Sequence, residues 1–220
     1  MSRILLGLLC SSLLFSNSPH PNPPSFEGAN LISATNLAYP VQSIAVGTVA
    51  LEIIVSENAT VEDVRPILEI QSLTATAVQS VKQWRFKPAV LNGRPTRSRT
   101  VVAVTFNPVE TVAHDVPLPP LLETGASSQA IIEPIPINVV AAAFPKYPYN
   151  SVTTGTVVLR VSVDIDGRVE KAIAVRDVPS LTGPCLDVLK KWRFEPAEFR
   201  GQHIPSSIGL AFVLRPPNGK

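Results

Sequence analysis

Residues Thr156 to Asp164 alternate between apolar and polar side chains. Val157, Leu159, Val161 and Val163 fall on one side, and Thr156, Arg160, Ser162 and Asp164 on the other. Period two predicts a half-buried strand. Asp166-Gly167 follows as a hairpin signal, because glycine takes positive φ without a Cβ clash. The chain then returns over Arg168 to Arg176, with Val169, Ile173 and Val175 expected inward. Pro184 to Phe194 reads as a helix, with Cys185, Leu186, Leu189 and Trp192 near one face and Lys190 and Lys191 outward. Pro184 suits its first turn and Pro196 stops it. After Gly201, Ile208, Leu210, Phe212 and Leu214 alternate as a third strand. A weak further helix is expected just before Tyr147-Pro148, over Val139 to Phe144.

The same pattern occurs earlier, displaced by 108 residues. Tyr39-Pro40 matches Tyr147-Pro148, Gly47-Thr48-Val49 matches Gly155-Thr156-Val157, and Ser72-Leu73-Thr74 matches Ser180-Leu181-Thr182. Trp84-Arg85-Phe86 matches Trp192-Arg193-Phe194, Pro88-Ala89 matches Pro196-Ala197, and Gly93 matches Gly201. One register held over six blocks without a gap means two copies of one folding unit. In the first copy Val49, Leu51, Ile53 and Val55 are the inward residues of strand one. Thr100, Val102, Val104 and Phe106 are those of strand three, and Leu31 to Leu37 the weak helix. Its turn, Glu57-Asn58-Ala59, lacks the glycine and is expected to be looser.

Each copy therefore predicts an α+β unit of αββαβ type, a three-stranded sheet packed on one main helix. With strand three beside strand one and a right-handed crossover, strand order is 2-1-3, which leaves strands two and three as edges. The expected boundaries are a leader at 1–16, a flexible Pro-rich arm at 17–30, a first unit at 31–107, a Pro-rich connector at 108–137 and a second unit at 138–216.

Charge and composition narrow the class. The chain carries 45% hydrophobic and 16% charged residues, which excludes a disordered polymer. A net charge of +2 is too small for the footprint of a nucleic-acid binder. Arg3 followed by the apolar run Ile4 to Phe15 has the length of a secretory leader and falls short of a bilayer span. A short retained anchor is the other reading of that run, and membrane contact is expected only in that case. Cys10 lies within it, leaving Cys185 alone in the exported chain, so no internal disulfide is expected.

Together these features resemble the C-terminal domain of the TonB energy transducers. The resemblance rests on Tyr39, Pro40, Gly47, Trp84, Phe86 and Pro88 in the first copy. In the second it rests on Tyr147, Pro148, Gly155, Gly167, Trp192, Phe194 and Pro196, with Asp166-Gly167-Arg168-Val169 between. It implies a protein of the periplasm or cell envelope that grips an extended segment of an outer-membrane TonB-dependent receptor, or of another envelope protein, in transmembrane transport. In the family that segment adds beside strand three, by β-augmentation. By position the edge residues here are Ser206, Ser207, Ile208, Gly209, Leu210, Ala211, Phe212, Val213 and Leu214, and in the first copy Arg99, Thr100, Val101, Val102, Ala103 and Val104, running on to Phe106. The chain departs from a full transducer in having two modules and no long charged spacer. Ser16 and His20, which have the spacing of the transducer's Ser-x-x-x-His pair, lie outside the apolar run with Pro19 between them.

An enzyme is not expected. His20, His114 and His203 form no ligand pattern, and no nucleophile elbow, phosphate loop or C-x-x-C occurs, so neither metal nor cofactor is expected. Cys185 corresponds to Ala77 and reads as core. Arg94, Arg97 and Arg99 lead into strand three of the first copy, either blunting an edge or drawing an acidic peptide. The competing functional reading is a structural module whose two domains pair edge to edge, leaving no free third strand and transducing no energy. Self-association is a further partner expectation.

Overall fold

The computed structural model describes residues 25–108, 116–117, 137–148 and 151–216. The leader, the arm before Ser25 and most of the connector lie outside the described residues. The first unit runs β1 (Phe26–Glu27), β2 (Asn30–Ser33), β3 (Gly47–Val55), β4 (Val61–Leu68), α1 (Thr74–Val81), β5 (Arg85–Lys87), β6 (Ala89–Leu91), β7 (Arg94–Thr96) and β8 (Ser98–Pro108). In the connector, β9 (Val116–Pro117) pairs with the start of the second unit. That unit runs β10 (Asn138–Ala142), β11 (Gly155–Val163), β12 (Val169–Arg176), α2 (Pro179–Val188), β13 (Arg193–Glu195), β14 (Ala197–Phe199), β15 (Gln202–Ile204) and β16 (Ser206–Arg215). The molecule is thus mixed α+β in two repeated halves, and each half has the expected 2-1-3 strand order, β4-β3-β8 and β12-β11-β16.

Four local expectations are corrected. The weak helices at Leu31–Leu37 and Val139–Phe144 are absent, and strands β2 and β10 stand there. The reason is pairing: β2 lies antiparallel to β5 and β10 to β13, satisfying the short strands that follow Trp84 and Trp192. The main helix of the second unit begins at Pro179, so Pro184 sits inside it, and a 3-10 turn over Leu189–Lys191 follows. Trp192 is extended, with ψ 145°. Arg85-Phe86-Lys87 and Arg193-Phe194-Glu195 alternate exposed, buried, exposed, which is strand periodicity. Leu186, expected on the helix's inner face, is exposed.

The third correction concerns β12. Register shifts at its two ends, between the pairs Val163↔Val169 and Ser162↔Lys171 and between Leu159↔Ala174 and Val158↔Arg176, mark bulges. Each extra residue rotates the pleat by one position, so Val169 packs with Ala172 on the Trp192 core. Ile173 instead pairs with Arg160 and Val175 packs against the other core. The fourth concerns the arm. Phe26–Glu27 pairs with β6, and Phe26 stacks on Phe199 of the second unit at 5.2 Å, so the described part of residues 17–30 is ordered structure.

The first unit's turn is built like the second's despite its missing glycine. Asp164 Oδ1 accepts from the N–H groups of Asp166 and Arg168 at 2.9 and 2.8 Å. Ser56 Oγ does the same for Asn58 and Thr60 at 3.2 and 3.1 Å. Both tips are left-handed, Gly167 at φ 77° and Ala59 at φ 66°. An alanine there costs roughly 1–2 kcal/mol relative to right-handed geometry. Ala59→Gly should therefore stabilise the chain by about 0.5–1 kcal/mol in urea unfolding. Gly167→Ala should cost more than about 2 kcal/mol, because its Cβ would stand 2.0 Å from the Phe194 carbonyl oxygen.

Candidate functional site: the paired third strands

The third strands of the two units are not edges. They pair with each other in parallel, Gly209 opposite Val102 through Arg215 opposite Pro108, fusing both units into one six-stranded sheet of order β12-β11-β16-β8-β3-β4. The residues nominated as open binding edges are thereby placed inside the sheet. Leu210, Ala211, Phe212, Val213 and Leu214 are hydrogen-bond neighbours of the β8 run that begins at Val102, Ala103 and Val104. Only Arg99, Thr100 and Val101 on one strand, and Ser206, Ser207 and Ile208 on the other, precede the shared ladder.

The register of this seam decides the rest. Val102 corresponds to Leu210 in the repeat, yet it pairs with Gly209, one position earlier. A shift of one residue inverts the faces. Val102, Val104 and Phe106 therefore share a face with Gly209, Ala211 and Val213, while Leu210, Phe212 and Leu214 share the opposite face with Ala103 and Val101. The two main helices consequently cover opposite faces of one sheet, related by a pseudo-twofold axis along the strands.

Each core is then completed by the other unit. Trp84, Phe86 and Phe106 pack in a cluster that takes in Val158, Ala211 and Val213 of the second half. Trp192, Phe194 and Phe212 pack in one that takes in Ala50, Ile67, Val101 and Ala103 of the first. Small residues make the crossings possible. A Cβ at Gly209 would lie 3.1 Å from Leu31 Cδ2, 3.4 Å from Val102 Cγ2 and 3.5 Å from Trp84 Cζ3. Polar ties reach across as well. Thr156 Oγ1 donates to the Leu37 carbonyl at 2.5 Å, Arg160 Nη1 to the Leu31 carbonyl at 3.0 Å, and Ser207 Oγ to Asn30 Oδ1 at 2.8 Å. Reciprocally, Asn107 Nδ2 donates to the Pro145 carbonyl at 3.0 Å.

Two of the three arginines of the basic trio are met by carboxylates. Arg97 Nε lies 2.6 Å from Glu62 Oε2, and Arg99 Nη1 lies 3.5 Å from Glu52 Oε2. Glu52 is only 2% exposed and its other oxygen accepts from Arg65 at 3.0 Å. This buried acid was not singled out in the sequence, and its equivalent is Arg160, so the repeat itself flags the position. Arg94 stands exposed on β7. Cys185 is fully buried and burial pushes its thiol well above the ordinary range, which makes it an unreactive core atom. Of the signature residues, Tyr147 donates its hydroxyl to the Thr153 carbonyl at 2.8 Å and Tyr39 to that of Ala45. Trp192 Nε1 donates to the Ala143 carbonyl at 3.1 Å.

The rims of the six-stranded sheet are β4 and β12. Both carry bulges, and Pro66 lies in β4 where Ala174 stands in β12. Bulges and proline are common devices for keeping an edge from recruiting strands. Shared cores make one cooperative unit, so the chain should unfold in a single urea transition seen alike by tryptophan fluorescence and circular dichroism. Gly209→Val should lower its stability by about 1–3 kcal/mol without splitting that transition.

Comparison with known families matches the family model described as Gram-negative bacterial TonB protein C-terminal, twice, over residues 35–108 and 141–214. No curated protein matches, and no solved structure does. The two matches span well over half of the sequence and coincide with the two halves of the six-stranded sheet. The chain belongs to the TonB C-terminal family, carries that domain in tandem, and is a TonB-like protein of the cell envelope.

Proposed function

We propose that this protein is an exported, non-enzymatic structural unit of the envelope, in which strand three of each TonB-type domain joins the two domains to each other. The parallel seam between β8 and β16 carries this reading. In a single module, strand three offers a row of unpaired N–H and C=O groups that an extended segment can complete. Here that row is completed by the sister module along a ladder of seven residue pairs. A receptor peptide entering there would have to break a ladder and open two shared cores. Energy transduction by gripping at strand three is disfavoured for that reason.

Partner binding by strand addition, in association with TonB-dependent transport, keeps support at one place. The β12 rim runs Val169–Arg176 without a proline, and Ile173 on it is exposed. A segment of an outer-membrane receptor or another envelope protein would add there in preference to β4.

Titration with extended receptor-type peptides, followed by amide shifts, separates the readings. The structural reading expects no saturable shift at Arg99–Phe106 or Ser206–Leu214 up to millimolar peptide. Saturable shifts confined to 169–176 would establish rim binding. Shifts centred on the third strands would overturn the seam as a closed interface. Export is checked by the mass of the chain recovered from the periplasm of a Gram-negative host, which should lack the first 16 residues or so.

A further inference from the structure

The residues that the repeat keeps outside the cores are informative. The loop leading into β3 holds Val41 and Ile44, which are 96% and 84% exposed. The loop leading into β11 holds Val152, the repeat equivalent of Ile44, at 77% exposure. Single exposed aliphatics are ordinary on a protein surface. The same exposed position filled by a β-branched aliphatic in both copies is a different observation, because the two loops are also built alike.

In each loop a tyrosine hydroxyl closes the turn onto a carbonyl six residues ahead, Tyr39 onto Ala45 and Tyr147 onto Thr153. Ser43 Oγ and Ser151 Oγ accept from the N–H groups of Ala45 and Thr153, both at 3.2 Å. The same serines reach Ser72 and Ser180, at 2.8 and 3.4 Å. Ile44 and Val152 are therefore held out by anchored backbone.

Sheet register places both tips at one end of the molecule. Gly47 at the start of β3 pairs with Phe106, Gly155 at the start of β11 pairs with Leu214, and Leu214 pairs with Asn107. The two loops thus leave the sheet level to within a residue, three strand spacings apart, or about 14 Å. Cations stand beside them. The Arg215 guanidinium lies 4.1 Å over the Tyr39 ring and donates to the Ser43 carbonyl at 3.4 Å. Lys146 is exposed next to Tyr147. The acids Glu69 and Asp177 follow β4 and β12, at the outer corners of this end.

From these observations we infer that this end of the sheet docks on an anionic lipid surface, with Val41, Ile44 and Val152 entering the interface and Arg215 and Lys146 meeting headgroup phosphates. Separate apolar tips on rigid loops, level with one another and backed by cations, suit a planar interface that admits each side chain alone. A protein partner asks instead for one contiguous apolar patch. The loop tips and the cations beside them carry the inference, which does not rest on how the rims of the sheet are used.

The test is flotation of the full chain with vesicles of phosphatidylethanolamine and phosphatidylglycerol, and with vesicles of phosphatidylcholine alone. Wild type is compared with Ile44→Ser/Val152→Ser and with Lys146→Gln, all carrying the same N-terminal apolar run. The double substitution should lower partition onto anionic vesicles roughly tenfold or more while leaving the thermal transition in place, because both positions are solvent-exposed in the folded chain. Lys146→Gln and added salt should weaken it severalfold, and phosphatidylcholine should bind less than the anionic mixture. Equal partition of wild type and the double variant would overturn the inference. So would no wild-type binding, or a dimer in vesicle-free solution that the double substitution dissolves, which would make a second copy the occupant.

Discussion

The fold depends on one register, the parallel pairing of β8 with β16 displaced by a single residue from the repeat. In register with the repeat, Val102 would face the same side as Leu210, and both main helices would crowd one surface of the sheet. The displacement sends them to opposite faces, so each sheet half is covered on one side by its own helix and on the other by elements of its sister. That is why β3 and β16 are buried on nearly every residue, although alternation within a unit reads as a half-buried strand.

Side chains of modest size follow from the same geometry. Gly209, Ala211, Ala50 and Ala103 lie where one unit's strands pass beneath the other unit's elements. Larger residues there would push the arm holding Leu31 away from the sheet and unmake the ties from Thr156 and Arg160. The seam is therefore a shared interior and not a surface contact between two finished domains. For function, the surface that a lone module keeps open becomes structural when the module is doubled, and exposed rims and loop ends are what remain for partners.

Legibility in the sequence varied by element. The strand alternation of Val157 to Val163 and of Ile208 to Leu214 gave the central strands, and the 108-residue echo gave the duplication and the 2-1-3 order. Trp-Arg-Phe reads as a helix end in the sequence yet leads into strands β5 and β13, because three residues are too few to reveal period two beside an adjoining helix. Alternation alone puts Ile173 and Val175 on the inner face, and the structure does not, because a bulge has no local signature in apolar pattern. The Ala59 turn was expected to be loose, but Ser56 supplies with a hydroxyl what Asp164 supplies with a carboxylate.

What the amino-acid order determined by itself was local and repeated: which residues alternate, where the chain turns, that one unit occurs twice, and which family those units resemble. Only tertiary structure decided how the two units meet. A strand's pattern specifies which side chains share a face, but its N–H and C=O groups are the same whatever lies beside them, so the pattern is silent about the neighbour that will complete them. The choice of a sister strand over a partner's, and the one-residue register that put the helices on opposite faces, arises from packing across the seam that no single unit contains.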